Sequence, residues 1–307
     1  MAINKATRAA LKALSYPDID LKKNYKLARV AENISHPPAN KLFYKSWNHT
    51  VMCGGHEVPV RIFPPKGFDP VPKVLLFFHG GGWVTGNIDS YDKTCHVMAA
   101  QTGRIVVSVD YRLAPEYPFP AGLEDCYAVA RDIFLDDGLL STHPDEITLI
   151  GDSAGGNLAA AVSLMARDRG EFWPRKQILI YPATYNDHTE ASPFDSVRTN
   201  GTDYLLTSKR VSDYMELYMS RPADRQNPYF APLLEQDLSL QPDTLIFSAE
   251  YCPLRDEGEA YGEKLRAAGN RVRIVRVPNA LHGYFMLPPR YVQVKRTYQA
   301  INEFLAR

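Results

Sequence analysis

The residues with the most chemical content in this chain are Gly151-Asp152-Ser153-Ala154-Gly155, a serine set between two glycines. A serine hydroxyl becomes a useful nucleophile only when a base takes its proton and fixed donors stabilise the oxyanion that its attack creates. The pattern alone arises by chance in about a tenth of chains of this length, so its surroundings decide. Ile147–Ile150 reads as a strand running into it, and Asn157 to Met165 as an Ala- and Leu-rich helix leaving it. Strand, tight turn and helix are what a nucleophile elbow requires. Gly151 and Gly155 stand where backbones approach too closely for a Cβ. Ser153 is then placed near a helix N-terminus, whose dipole favours developing negative charge.

Donors for the oxyanion are expected from His79-Gly80-Gly81-Gly82-Trp83, which follows the strand Val74–Phe78. Consecutive glycines let backbone N–H groups turn into a cavity, and the N–H of Ala154 is the partner donor. In a fold of this kind nucleophile, acid and base follow in that chain order, which puts the base after the last strands. Val272–Val277 is the last convincing strand and leads into Pro278-Asn279-Ala280-Leu281-His282-Gly283, so His282 is the candidate base. Of the eight histidines, His79 reads as a brace of the glycine loop and His96 as a packed or solvated helix residue. His36, His49, His56, His143 and His188 read as surface or loop residues.

The elements that must position these groups are short β-branched or aromatic runs alternating with helical patterns. Val58–Phe63, Val74–Phe78, Ile105–Val109, Ile147–Ile150, Ile178–Tyr181, Thr244–Ser248 and Val272–Val277 read as strands, several of them almost wholly apolar. Such strands belong to parallel sheets covered on both faces. Gly155–Arg167 and Pro253–Ala268 read as helices, the second with apolar or small residues at helical spacing and Gly269 placed to end it. The expected architecture is a single α/β domain over residues 1–307: a mostly parallel central sheet with helices on both faces. Residues 1–45, broken by Pro37-Pro38, and residues 184–225, rich in Tyr, Met and Pro, fall outside the alternation. Excursions of this length are commonly lids, and these two are expected to form one helical cap over the site.

Composition excludes more than it assigns. The 307 residues carry 35 basic and 35 acidic side chains, with no basic run, so neither nucleic acid nor an anionic membrane surface is an expected partner. Cys53, Cys95, Cys126 and Cys252 are scattered, with no C-x-x-C pair and no nearby histidine pattern of zinc-site spacing. Free thiols in a reducing compartment, and no metal, are expected. Met1 to Tyr16 reads as an amphipathic helix, not a signal peptide, and no stretch approaches the roughly 18 apolar residues that span a bilayer. A cytoplasmic location follows as the expectation.

These residues resemble the bacterial hormone-sensitive-lipase family of esterases (family IV), of the α/β-hydrolase fold. The resemblance covers nearly the whole chain: HGGGW at 79–83, DYRLAPE at 110–116, GDSAGGN at 151–157, Pro253-Leu254-Arg255-Asp256-Glu257-Gly258, and His282-Gly283. It implies oxyanion donors at Gly81 and Gly82 with Ala154 as the third, and a DYRLAPE segment whose Arg and Glu hold loops together. It also implies that the two excursions are the cap. Hydrolysis of short-to-medium acyl esters without a cofactor, often as a homodimer, completes what the resemblance implies.

One position departs from the family. Its acid is the first Asp of Asp-Pro-Leu-x-Asp, and here that position is Cys252 in Cys252-Pro253-Leu254-Arg255-Asp256. The acid orients the imidazole and stabilises the imidazolium, and a neutral thiol does so poorly. Asp256, four residues on, could lie one helical turn away on the same face. Glu250, two residues back, could reach from an extended segment. A Cys252 thiolate paired with His282 would need a pKa lowered from about 8.5. In a fourth arrangement no acid meets His282 and activity is low. The expected function is a serine carboxylesterase of small ester substrates. A ligand-binding protein on an impaired hydrolase scaffold, or an arylacetamide deacetylase-like amide and ester hydrolase, are the alternatives.

Overall fold

The structure, a computed structural model, describes residues 5–15, 20–39, 45–65, 67, 72–135 and 140–307. In chain order, α1 (Lys5–Ser15) and α2 (Leu21–Ser35) precede β1 (Trp47–Cys53), β2 (His56–Phe63) and β3 (Val74–Phe78). Then come α3 (Asp92–Thr102), β4 (Ile105–Val109), α4 (Ala121–Leu135), β5 (Ile147–Asp152), α5 (Ala154–Arg169) and β6 (Lys176–Ile180). The chain closes with α6 (Asp195–Thr199), α7 (Ser208–Tyr218), β7 (Asp243–Tyr251), α8 (Arg255–Ala267), β8 (Val272–Leu281) and α9 (Val292–Leu305).

One eight-stranded sheet forms, in the order β1-β2-β4-β3-β5-β6-β7-β8. The β1/β2 and β2/β4 pairs are antiparallel, and every pairing from β4 onward across the sheet is parallel. This is the mostly parallel sheet that the strand pattern predicts, in the α/β-hydrolase fold that the resemblance implies. Every residue of β3 and β5 is buried, so both sheet faces are covered there. Leu75, Leu76, Phe77 and Phe78 are fully inaccessible, and such side chains stabilise the fold by about 1.5–3 kcal/mol each. Helix α5 lies on β5 and β6, α4 packs against α5, and α3 packs against α9.

The seven predicted strands are all present, and the structure adds β1. Only Val51 of its seven residues is buried, because β1 is an exposed sheet edge and carries little apolar pattern. Its turn signal is nevertheless in the sequence. Gly54 and Gly55 take φ of 52° and 92°, joining Cys53 to His56 through the two-residue turn that antiparallel hairpins favour.

The two excursions meet each other. Residues 1–4, 16–19 and 40–44 of the first lie outside the described residues. Helix α2 packs on α7, Lys22 pairs with Glu216 at 2.6 Å, and the Leu205 N–H donates to Ser15 Oγ at 2.9 Å. The DYRLAPE segment acts as a brace, as its resemblance implies. Arg112 grips the Asp125 carboxylate through Nε and Nη2, and Glu116 receives both Nη groups of Arg29 from α2 at 3.0 and 2.8 Å.

Candidate active site

The strand β5 ends at Asp152, α5 begins at Ala154, and Ser153 between them has φ 56° and ψ −119°. A positive φ is strained for a residue with a side chain. Here it is over-determined, since the Ser153 N–H donates to the Ile180 carbonyl at 2.9 Å and its carbonyl accepts the Asn157 N–H at 3.1 Å. A Cβ at Gly151 would strike the Gly155 carbonyl, and one at Gly155 would strike the Phe78 carbonyl. Glycine is therefore required at both, and the serine is held out of the turn.

His282 follows directly on β8, and its Nε2 stands 2.9 Å from Ser153 Oγ. The imidazole lies on the Tyr181 ring, centroids 4.6 Å apart. On the other side of Ser153, Gly81 and Gly82 take φ of 117° and 60°, and Trp83 keeps a positive φ of 61°. The N–H groups of Gly81, Gly82 and Ala154 donate to no protein acceptor among the described residues, and all three residues line the cavity with Ser153. These three N–H groups are therefore donors without a protein acceptor on residues that line the cavity with Ser153. His79 is buried away from Ser153, stacked on Tyr111 with Nδ1 donating to the Gly80 carbonyl at 2.8 Å.

Asp152 is a brace that the motif carried but sequence alone did not single out. It accepts the Gly80 N–H at 2.9 Å and the hydroxyls of Tyr91 and Tyr181 at 3.1 and 3.2 Å, tying the glycine loop to the elbow. Complete burial nevertheless pushes its pKa up to about 7.

At the third position neither carboxylate offered by the sequence meets the imidazole. Asp256 does not approach His282: its carboxylate accepts the Ser196 N–H at 2.7 Å and Arg255 Nε at 2.7 Å. The reason is that α8 starts only at Arg255, so residues 252 and 256 are not one helical turn apart on a shared face. Glu250 does not reach the imidazole either. Its Oε2 accepts the Asn279 N–H at 2.6 Å, holding that residue at φ 57° in the segment leading to His282. The partner of His282 Nδ1 is Cys252 itself, Sγ at 3.2 Å, and Sγ also accepts the Leu254 N–H at 3.4 Å. Cys252 is fully buried and burial raises its pKa above the ordinary thiol value, so a neutral thiol occupies the seat, not the thiolate.

With no anion beside it, desolvation lowers the His282 pKa from 6.5 to about 3. An imidazole works as a base in its neutral form, and the acid limb of kcat/KM reports the free enzyme's base. A lowered value keeps His282 neutral as pH falls, so the limb is expected below about pH 5. An aspartate at 252 would favour the imidazolium and move the limb upward. A pH–rate profile of the wild type with its limb near the usual histidine value would contradict this picture.

The cavity, about 240 Å³, is lined by Leu206, Val211, Leu254 and Met286 among others, with Glu32, Tyr214 and Arg210 from α2 and α7. Elsewhere two histidine and cysteine readings need correction. His188 is not at the surface: it is buried, with Nε2 2.5 Å from Glu257, which arrives from α8. The hairpin at Gly54-Gly55 also brings Cys53 and His56 together with Asp125, their ligand atoms within 4.8 Å of one another. Arg112 already holds both oxygens of that carboxylate, and its guanidinium opposes a second cation there.

Fold and site together define a serine hydrolase of the α/β type. The chain belongs to the alpha/beta hydrolase fold family, whose sequence profile matches residues 75–286, and within it to the esterases of hormone-sensitive-lipase type. It is 38% identical over 239 residues to a carboxylic ester hydrolase, LipN, of Mycobacterium tuberculosis, covering 75% of this chain and 62% of that protein. To an ethyl acetate hydrolase of Pseudomonas putida it is 36% identical, with 76% and 73% covered. A hyperthermophilic esterase from the archaeon Pyrobaculum calidifontis superposes with a TM-score of 0.84 at 34% identity, over 99% of this chain and 98% of that one.

Proposed function

We propose that Ser153 attacks the carbonyl of a small ester while His282 Nε2 takes its proton, with the oxyanion held by the N–H groups of Gly81, Gly82 and Ala154. The chain is a carboxylester hydrolase. The imidazolium returns its proton to the departing alcohol, and a water activated by the same His282 then hydrolyses the acyl-enzyme. The 2.9 Å contact between Nε2 and Oγ, facing three unspent donors, carries the reading. Short-to-medium acyl chains suit the modest cavity, and the segments 1–45 and 184–225 act as its cap, since residues of both line it. Amide turnover needs the same imidazolium to protonate a poorer leaving group, so esters are the favoured class. The neutral thiol at Nδ1 is the one observation that favours an impaired, ligand-retaining hydrolase instead.

The proposal includes a cytoplasmic enzyme, supported by four unpaired cysteines, and a homodimer, for which the open edge of β8 offers a seam. Among the described residues no helix is long and apolar enough to cross a membrane.

A p-nitrophenyl alkylphosphonate tests the mechanism directly. One equivalent of p-nitrophenolate should be released per chain, the phosphonyl mass should sit on the peptide containing Ser153, and hydrolysis of p-nitrophenyl butyrate should stop in parallel. Labelling elsewhere, or turnover that survives full labelling, would overturn the assignment.

A further inference from the structure

The cavity that holds Ser153 also holds a carboxyl group for which the hydrolytic steps have no use. Glu32 stands on α2, and three residues earlier on that helix Arg29 fixes it to the glycine loop. Arg29 donates to the Val84 and Ala114 carbonyls at 2.6 and 2.7 Å as well as to Glu116. Residues three apart share a helix face, so Glu32 is directed at the same loop and lines the cavity. The Thr85 hydroxyl, which donates to the Gly81 carbonyl at 3.1 Å, lines the same cavity as Glu32. Among the described residues no lysine or arginine lies within ion-pair distance of Glu32.

The other titratable groups around it do not neutralise it. His36 follows the C-terminal end of α2, Tyr91 and Asp152 lie on the glycine-loop side, and Tyr214 comes from α7. Arg210 lines the same cavity, but among the described residues no ion pair joins it to Glu32. An anionic Glu32 in this low-dielectric space opposes the negative charge that develops on the substrate oxygen. Burial pushes its carboxyl toward the protonated form, which is the relief available to an empty cavity. A cation on the substrate gives a different relief, since it cancels the repulsion and gains a charge-assisted contact.

We propose that Glu32 is a specificity-determining residue that selects esters carrying an ammonium group, primary or quaternary, over neutral esters of the same shape. The inference rests on the esterase reading above. Tyr214, whose ring lies against Gly82, adds an aromatic surface of the kind that receives such cations.

Two matched pairs test it: butyrylcholine with 3,3-dimethylbutyl butyrate, and ethyl 4-aminobutanoate with ethyl pentanoate. Within each pair the shapes agree and only one member is charged. In at least one pair the cationic-to-neutral ratio of kcat/KM should fall by about tenfold in Glu32→Gln, and Glu32→Asp should keep the wild-type order. In the wild type alone, choline should inhibit more strongly than 3,3-dimethylbutanol. Equal ratios for wild type and Glu32→Gln in both pairs, or inhibition in the reverse order, would overturn the assignment. Absence of Ser153-dependent turnover of all four esters would instead remove the esterase reading beneath it.

Discussion

Replacing Cys252 by aspartate is expected to raise kcat for p-nitrophenyl butyrate by about 10²- to 10⁴-fold. The seat is built for an anion: Sγ lies 3.2 Å from His282 Nδ1 and accepts the Leu254 N–H, just ahead of the N-terminus of α8. What occupies it is a neutral thiol, a weak donor and a weak acceptor. An unprotonated Nδ1 is the better acceptor of the two, so S–H donation to Nδ1 competes with Nδ1–H donation to sulfur. The first arrangement puts the ring proton on Nε2, where it faces Ser153 and cannot take a second one. A carboxylate only accepts, so it selects the productive tautomer and stabilises the imidazolium. In serine proteases, loss of the acid costs about 10⁴-fold, and a gain of two to four decades here corresponds to about 3–5 kcal/mol of barrier. Cys252→Ala, which offers neither donor nor acceptor, is expected to stay within about tenfold of the wild type. A Cys252→Asp protein that folds, binds substrate and turns over at the wild-type rate would show that residue 252 does not limit catalysis.

How far the sequence discloses this site depends on whether the information is local. Ser153 was legible because its turn, its flanking glycines and the strand before it are contiguous, and His282 because chain order restricts where a base can stand. The strands of the sheet interior were legible because burial on both faces makes them continuously apolar, whereas β1, exposed at an edge, carries only its Gly54-Gly55 turn. Which carboxylate meets which partner is decided by tertiary packing. Asp256 is drawn to Ser196 from the inserted segment and Glu250 to the backbone of Asn279, and neither contact has a trace in the spacing of residues 250 to 256. His188 reads as a loop residue until Glu257, 69 positions away, closes over it. Glu32 is invisible in the same way, because only the docking of α2 on the glycine loop brings it into the cavity that Ser153 lines.

The value of Ser153 should itself depend on residue 252. Triad members act as a unit, and removing the serine or the histidine alone costs about as much as removing all three. In subtilisin the whole triad is worth about 2 × 10⁶ in kcat and the acid alone about 3 × 10⁴, leaving roughly 10² for a serine and histidine without their acid. The wild-type chain resembles that residual state, with Nε2 2.9 Å from Oγ but a thiol behind the ring. Ser153→Ala is therefore expected to lower kcat only about 10²-fold in the wild type, and about 10⁴- to 10⁶-fold in the Cys252→Asp background. What remains in both should be the contribution of the Gly81, Gly82 and Ala154 donors and of binding, so the two Ser153→Ala proteins should turn over at similar rates. Coupling of this size between residues 153 and 252 requires His282 to relay it, because the two side chains contact opposite nitrogens of the one ring. Equal Ser153→Ala losses in the two backgrounds would mean that aspartate at 252 leaves the imidazole tautomer unchanged, and the thiol's effect on Nδ1 would have to be rejected.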